Sequence, residues 1–159
     1  MIAVSLLKEF TFFKDFSSDQ LKNLASLATE ESHLAGEHMY QKGDAARSLS
    51  LVKEGKVVMF MESYVGTGKP PMQVTVDIIT KGESMGWSAV VESYLYTLGA
   101  HCIDNTDFIA FDSIKLRKLM EKDAALGFRN YAGSSKSYFY QINSYANYYD
   151  RRTRSFNFD

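Results

Sequence analysis

The spacing of hydrophobic and polar residues changes twice along the chain, from helical to strand-like and back to helical. Apolar residues recur near helical spacing over residues 6–16, which predicts a short helix and its exit. Residues 17–20 read Ser-Ser-Asp-Gln, a typical N-cap cluster. The leucines that follow predict a second amphipathic helix ending near Glu30 and Glu31.

Residues 33–111 have the pattern of short strands separated by glycine turns. Turn dipeptides begin at Gly36, Gly43 and Gly55, with apolar strand residues between them. Residues 72–79 alternate as a strand that returns from a loop with two prolines. One face of that strand carries Val74, Val76 and Ile78. Many short strands at regular spacing predict a rolled antiparallel β unit.

The helical period returns after residue 111. Asp112 or Ser113 is expected to cap a helix, and a longer helix is expected after Asp123. Gly133 and the serine that follows it have weak helix propensity, so a kink there stays open. The longer helix carries apolar and tyrosine residues at alternating intervals of three and four, a heptad seam. Its members are Phe128, Tyr131, Ser135, Tyr138, Ile142, Tyr145 and Tyr149.

One stretch within the strand region has the features of a binding loop. Gly82 and Gly86 lie four residues apart, ahead of a run of small and apolar residues. If residues 84–91 begin a short helix, the backbone N–H groups of its first turn point toward whatever lies beside Gly86. Such groups bind anions. Two interpretations stay open: a phosphate cradle, or a tight loop that feeds a buried helical turn.

Composition narrows the function classes. The chain has 159 residues, 45% hydrophobic and 23% charged, which is typical of a single soluble globular domain. A net charge of −1 gives no indication of a nucleic-acid surface. The single cysteine, Cys102, excludes an internal disulfide and predicts a cytoplasmic protein. No signal peptide or membrane-spanning run is recognisable, so no membrane association is expected.

The sequence carries no recognisable catalytic arrangement. No paired carboxylates, nucleophile–base pair or Walker loop stand out, so an enzyme is not predicted. His33, His38 and His101 are scattered without metal-ligand spacing, and no metal site is predicted. Because His101 and Cys102 are adjacent, a haem sensor remains an alternative. Otherwise Cys102 is expected to be a small buried hydrophobic residue.

The order of elements and the spaced glycines resemble the cyclic-nucleotide-binding domain of the catabolite activator (Crp/Fnr) superfamily, over roughly residues 6–150. The residues that carry the match are Leu7, Phe13, Leu21, Leu24, Gly36, Glu37, Gly43, Asp44, 52–57, Gly82, Gly86, Ala100 and 112–119. The resemblance implies a mainly β fold: an antiparallel, jelly-roll-like β-roll with N-terminal helices and a long C-terminal helix. The domain would comprise residues 1–150, with the roll at 33–111, C-terminal helices at 113–150 and a tail at 151–159.

Residues 86–90, Gly-Trp-Ser-Ala-Val, resemble a branch in which Gly-Trp-Ser-Ala-Leu replaces the usual Gly-Glu-Leu-Ala-Leu. In nucleotide-binding members, the Glu holds the ribose 2′-hydroxyl and a downstream Arg pairs with the cyclic phosphate. Trp87 and Leu95 stand at those two positions. Loss of a guanidinium–phosphate fork costs at least about 2 kcal/mol. Binding of cAMP or cGMP is therefore predicted to be weak, or replaced by another small ligand.

The resemblance also implies a set of ligand contacts. The predicted contacts are Gly86, Trp87, Ser88, Ala89, Tyr94, Leu95, Tyr96 and Thr97, with Ser134 and Ser135 contributed by the long helix. Each has a structural alternative, because Trp87 is equally suited to the core and the tyrosines to strand packing.

Partners are predicted from the same resemblance. The long helix is expected to form a homodimer, although folding back onto the roll remains open. Direct DNA binding is not expected, because the sequence stops at Asp159 before a winged helix-turn-helix. The predicted function is a regulatory sensor read by an unidentified protein partner. The alternative is a protein-interaction or scaffold module whose vestigial pocket is filled by Trp87, Tyr94 and Leu95.

Overall fold

A computed structural model describes residues 1–91 and 93–126. The heptad seam, Ser134, Ser135 and the tail lie outside the described residues. The N-terminal elements are α1 (Val4–Lys8), a 3-10 turn (Thr11–Phe13) and α2 (Ser18–Leu27). The strands are β1 (Ala28–His33), β2 (His38–Tyr40), β3 (Ser48–Glu54), β4 (Lys56–Ser63), β5 (Met72–Thr80), β6 (Ser84–Met85), β7 (Gly99–Cys102) and β8 (Thr106–Asp112), followed by α3 (Ser113–Lys122).

The eight strands form two antiparallel sheets of four strands each. One sheet has the order β1-β8-β3-β6, and the other has the order β2-β7-β4-β5. Apart from β4 and β5, which pair with each other, consecutive strands alternate between the two sheets, as in a roll. The predicted fold class, a mainly β jelly-roll-like unit with flanking helices, is confirmed. Within the described residues, no helix is long and apolar enough to cross a membrane.

Helix α2 begins where the N-cap cluster predicts. Gln20 N donates to Ser17 Oγ at 3.2 Å, and Ser17 N donates to Gln20 Oε1 at 3.0 Å, a complete capping box. The predicted end near Glu30 is wrong, because α2 ends at Leu27 and Ala28 is already extended. Pairing of β1 with β8, beginning at Ala28 with Phe111, supplies backbone hydrogen bonds that replace further helical turns.

The short helix and exit predicted over residues 6–16 correspond to two separate helical segments. Helix α1 ends at Lys8, and the 3-10 turn follows two residues later. Leu7, Phe10 and Phe13 are nevertheless all buried. The apolar spacing therefore identified the inward-facing side chains, although the backbone between them is not continuously helical.

Strand β5 forms one edge of its sheet, and its predicted apolar face is only partly covered. Val74 and Ile78 are 41% and 46% exposed, whereas the neighbouring Ile79 is fully buried. The register against β4 shifts between Met59 and Phe60. Such a bulge reorients the side chains that follow it, which a strict period of two does not anticipate.

Two apolar clusters hold these elements together. One lies between the N-terminal helices and the sheet that contains β3 and β8, and it includes Leu7, Leu24 and Trp87. The other fills the roll itself and includes Ile79 and Phe108. Each such buried side chain contributes about 1.5–3 kcal/mol relative to its exposed state.

The β3–β4 turn requires glycine for two separate reasons, which allows a matched test. Gly55 has φ +102°, and a Cβ there would lie 2.5 Å from Thr106 Oγ1 and 2.6 Å from the Asn105 carbonyl oxygen. Gly36 has φ +87°, but a Cβ at that position would have no neighbouring atom within 4 Å.

We expect Gly36→Ala to lower the free energy of unfolding by about 1–2 kcal/mol, from backbone strain alone. Gly55→Ala should lower it by about 3 kcal/mol or more, because overlap with β8 adds to the strain. Urea unfolding of both variants measures the difference. Equal losses would show that the close approach to Thr106 does not matter.

Candidate functional site

The loop that joins β6 to β7, residues 86–98, contains all the predicted ligand contacts that the structure describes. Gly86 opens it in the left-handed region, with φ 83° and ψ 31°, and caps a 3-10 turn at Trp87–Ala89. A Cβ on Gly86 would lie 2.7 Å from the Ser48 carbonyl oxygen. Glycine is therefore required here both for its φ and for the close packing of the loop against β3.

Trp87 points into the core beneath this loop. It is 2% exposed, and its Nε1 donates a buried hydrogen bond to Ser84 Oγ at 3.0 Å. Its ring centroid lies 6.1 Å from that of Phe12 in the N-terminal 3-10 turn. The indole thus joins the loop to the helical cluster, with both its apolar surface and its N–H satisfied within the protein.

The side chain of Tyr96 also makes its contacts within the protein. Its hydroxyl donates to the Ser48 carbonyl oxygen at 3.0 Å and lies 3.3 Å from the Ser48 N–H, which donates to it. Its ring stacks on Tyr40, with centroids 3.5 Å apart and planes 8° apart. Burial, followed by the nearby Tyr96 hydroxyl, raises the pKa of Tyr40 well above its ordinary value. The sequence carried no signal for Tyr40, because this contact joins strand β2 to the distant loop 86–98.

The predicted contacts divide into two groups. Gly86, Trp87, Ala89 and Tyr96 are buried, and Ser88 is half-buried. The outer group, Tyr94, Leu95 and Thr97, lies at the surface.

The outer limb of the loop runs antiparallel to residues 43–46. Ala46 N donates to the Tyr94 carbonyl oxygen at 2.8 Å, and Tyr96 N donates to that of Asp44 at 2.9 Å. Tyr94 itself has φ 51°, an uncommon conformation for a residue with a side chain. The backbone pairing with residues 43–46 therefore fixes a strained segment in place.

Comparisons of this chain with known proteins give different results for sequence and for structure. No protein-family model and no curated protein matches the sequence. Solved structures do match. A protein from Geobacter metallireducens GS-15, described as a candidate cyclic nucleotide-binding protein, is 25% identical, with a TM-score of 0.75 over 89% of this chain and 99% of that one. This chain has the fold of the cyclic-nucleotide-binding domains of the Crp/Fnr superfamily. The predicted resemblance is confirmed.

Two further structures support the same fold. The catabolite activator protein of Thermus thermophilus is 16% identical, with a TM-score of 0.68 over 89% of this chain and 62% of that one. The regulatory domain of Toxoplasma gondii PKA, crystallised with cAMP, is 17% identical, with a TM-score of 0.64 over 83% of this chain and 48% of that one. The chain thus spans about half to three-fifths of these two proteins. Residues 86–98, which the sequence resemblance predicts to be the phosphate cassette, are called the cassette below.

Arg117 on α3 contacts the cassette, and sequence analysis missed it. Its Nη1 donates to the Ala89 carbonyl oxygen at 2.9 Å, and its guanidinium carbon lies 4.0 Å from the centre of the Tyr94 ring. A cation over an aromatic face contributes about 0.5–2 kcal/mol. Arg117 therefore attaches both limbs of the cassette to the helix that follows the roll.

His38 lies on β2, and His101 and Cys102 lie on the neighbouring strand β7. His38 and His101 are cross-strand neighbours with ring centroids 5.5 Å apart, and burial, then proximity to His38, lowers the pKa of His101. Among the residues that the structure describes, no group of three or more His, Cys, Asp or Glu side chains could hold a metal ion. Cys102 is fully buried, as predicted, and burial raises the pKa of its thiol.

The Trp87–Ser84 hydrogen bond can be tested by a double-mutant cycle. Ser84→Ala leaves a buried indole N–H unpaired, so it should lower the free energy of unfolding by about 1–3 kcal/mol. In a Trp87→Phe background, the same substitution should cost much less, because the donor is gone. Chemical denaturation of the four proteins followed by circular dichroism measures the coupling. An equal cost in both backgrounds would contradict the assigned bond.

Proposed function

We propose that this chain is a non-enzymatic regulatory domain of the cyclic-nucleotide-binding type with a degenerate phosphate cassette. In this proposal, cAMP and cGMP bind weakly, or another small ligand takes their place. Support for a regulatory role comes from the fold, which is shared with the cAMP-bound regulatory domain of T. gondii PKA. The loss of side-chain chemistry in the cassette supports weak nucleotide binding.

The proposal rests on which residues stand at cassette positions 87 and 95. Residues 82–98 contain no Lys or Arg, and Leu95 stands at the surface where the family resemblance implies an arginine. Trp87 replaces the expected glutamate and is buried in the core. Neither side chain can pair with a cyclic phosphate or accept a hydrogen bond from a ribose hydroxyl.

The cassette backbone offers only partial compensation. The N–H groups of Ala89 and Val90 donate within the 3-10 turn, to Gly86 at 3.0 Å and to Trp87 at 3.1 Å. A bidentate guanidinium–phosphate contact is charge-assisted, and its loss corresponds to more than about a tenfold reduction in affinity. The backbone cannot restore that loss, because it lacks a full positive charge.

Arg117 gives the proposed domain a route for signalling. Because this side chain holds both Ala89 and Tyr94, a change in the cassette is coupled to the position of α3. A ligand would shift that position only by binding one arrangement more tightly than the other. Homodimerisation through the C-terminal helix, an unidentified protein partner and a cytoplasmic location remain predictions of the same proposal.

The alternative is a protein-interaction or scaffold module with a vestigial pocket. The internal hydrogen bonds of Trp87 and Tyr96 favour it, because these large side chains fill space beneath the cassette. Against it, Tyr94 and Leu95 are 40% and 45% exposed and therefore do not fill a pocket.

Calorimetric titration with cAMP and with cGMP tests the proposed function. We expect dissociation constants well above the micromolar range for both nucleotides, because neither the ribose nor the phosphate has its side-chain partner. Micromolar binding of either nucleotide would contradict the proposal.

Restoring the arginine provides the converse test. Leu95→Arg should tighten cAMP binding by about tenfold or more, because it returns a bidentate cation to an exposed position on the cassette. Leu95→Gln is the matched control, since it adds hydrogen-bonding groups without charge and should bind cAMP as the parent does. If Leu95→Arg binds no more tightly than Leu95→Gln, the missing cation is not what limits affinity.

A further inference from the structure

A cleft of about 370 Å³ opens beside the outer limb of the cassette. It lies where β1 and β2, which are edge strands of the two different sheets, approach the segment that leads into β3. Its volume falls within the range of about 300–1,000 Å³ that is common for small-molecule sites.

The cleft carries charges of both signs that do not neutralise one another. Arg47 lines it and is exposed, and its guanidinium makes no hydrogen bond or ion pair with another described residue. Glu31 and Asp44 line the same cleft, yet neither lies within ion-pair distance of Arg47. Glu31 does lie 3.8 Å from Nε2 of His33, which also lines the cleft and hydrogen-bonds Glu37 through its other ring nitrogen. A positive group and two carboxylates therefore face one space while held apart.

Part of the cleft wall is held by contacts within the protein. The stacked rings of Tyr40 and Tyr96 form part of it, and both hydrogen bonds of the Tyr96 hydroxyl go to Ser48. Asp44 is fixed as well, because its Oδ2 accepts from Gln41 N at 2.9 Å. A site whose walls are already ordered loses little conformational entropy when it binds a ligand.

We propose that this cleft binds a small zwitterion of the amino-acid class. Arg47 would receive the ligand carboxylate in a charge-assisted pair, and Glu31 and Asp44 would receive its ammonium group. A simple anion would meet two carboxylates, and a simple cation would meet an unpaired guanidinium. A molecule that carries both charges satisfies both sides of the cleft.

A ligand bound in the cleft would affect the cassette through backbone hydrogen bonds. Asp44 lines the cleft, and its carbonyl oxygen accepts from Tyr96 N in the cassette, while Ala46 N donates to the Tyr94 carbonyl oxygen. The inference therefore rests on the proposed function, since it names the class of small ligand that the sensor domain would detect.

The test is a thermal-shift screen of the purified full chain with the twenty common L-amino acids at millimolar concentration. At least one should raise the Tm, and calorimetry should then give its dissociation constant. The decarboxylated amine and the deaminated acid of that same amino acid should each bind at least about tenfold more weakly, because each lacks one charge.

Substitutions of Arg47 test whether its side chain binds the ligand carboxylate. Arg47→Gln should weaken binding by at least about tenfold, and Arg47→Lys should weaken it less, since it keeps the charge but loses the fork. Lys69→Gln is the matched control: it removes one positive charge from the β4–β5 loop, at the opposite edge of the sheet from β2. It should leave binding unchanged.

Three results would overturn the inference: no amino acid raises the Tm, Arg47→Gln binds as tightly as Lys69→Gln, or the deaminated acid binds as tightly as the amino acid. Titration of the same samples with cAMP separates this inference from the proposed function. If cAMP binds at micromolar concentration and Arg47→Gln does not change that binding, the proposed weak nucleotide binding is contradicted. The inference about the cleft is not affected by that result.

Discussion

The cassette depends on the burial of one indole. Trp87 fills the space between the N-terminal 3-10 turn and the loop, and its N–H is satisfied by Ser84. For the side chain to reach that position, Gly86 must adopt a left-handed conformation directly against the carbonyl oxygen of Ser48. The residue that secures the loop is thus also the residue that stands where the family resemblance implies a ribose-binding glutamate.

The rest of the site follows from how the loop is held. Its inner part is fixed by the core, its outer limb by backbone pairing with residues 43–46, and both by Arg117 on α3. The same pairing places the cassette beside the cleft that Arg47 and Asp44 line. Two neighbouring features can therefore act through one hydrogen-bonded unit. This arrangement suits a domain that converts ligand binding into a change at the helix following the roll.

The fold could be predicted because its signals are local. Ordered glycine turns and a change of hydrophobic period fix the strands, and Ser17 with Gln20 fixes the start of α2. The end of α2 could not be predicted, because pairing of Ala28 with Phe111 outweighs local helix propensity. Contacts within the site were also inaccessible. The stack of Tyr40 on Tyr96 and the contact of Arg117 with Ala89 join residues far apart in sequence.

The most direct test of this account is an NMR titration with cAMP that follows the backbone amide signals of residues 86–89 and the indole N–H signal of Trp87. Because the indole is buried and bonded to Ser84, the cassette itself contains no Lys or Arg, and Arg117 already donates to the Ala89 carbonyl oxygen, these signals should not move until the nucleotide far exceeds micromolar concentrations. Saturating shifts of the same amides at micromolar cAMP would show that the cassette grips the cyclic phosphate and would contradict the central claim.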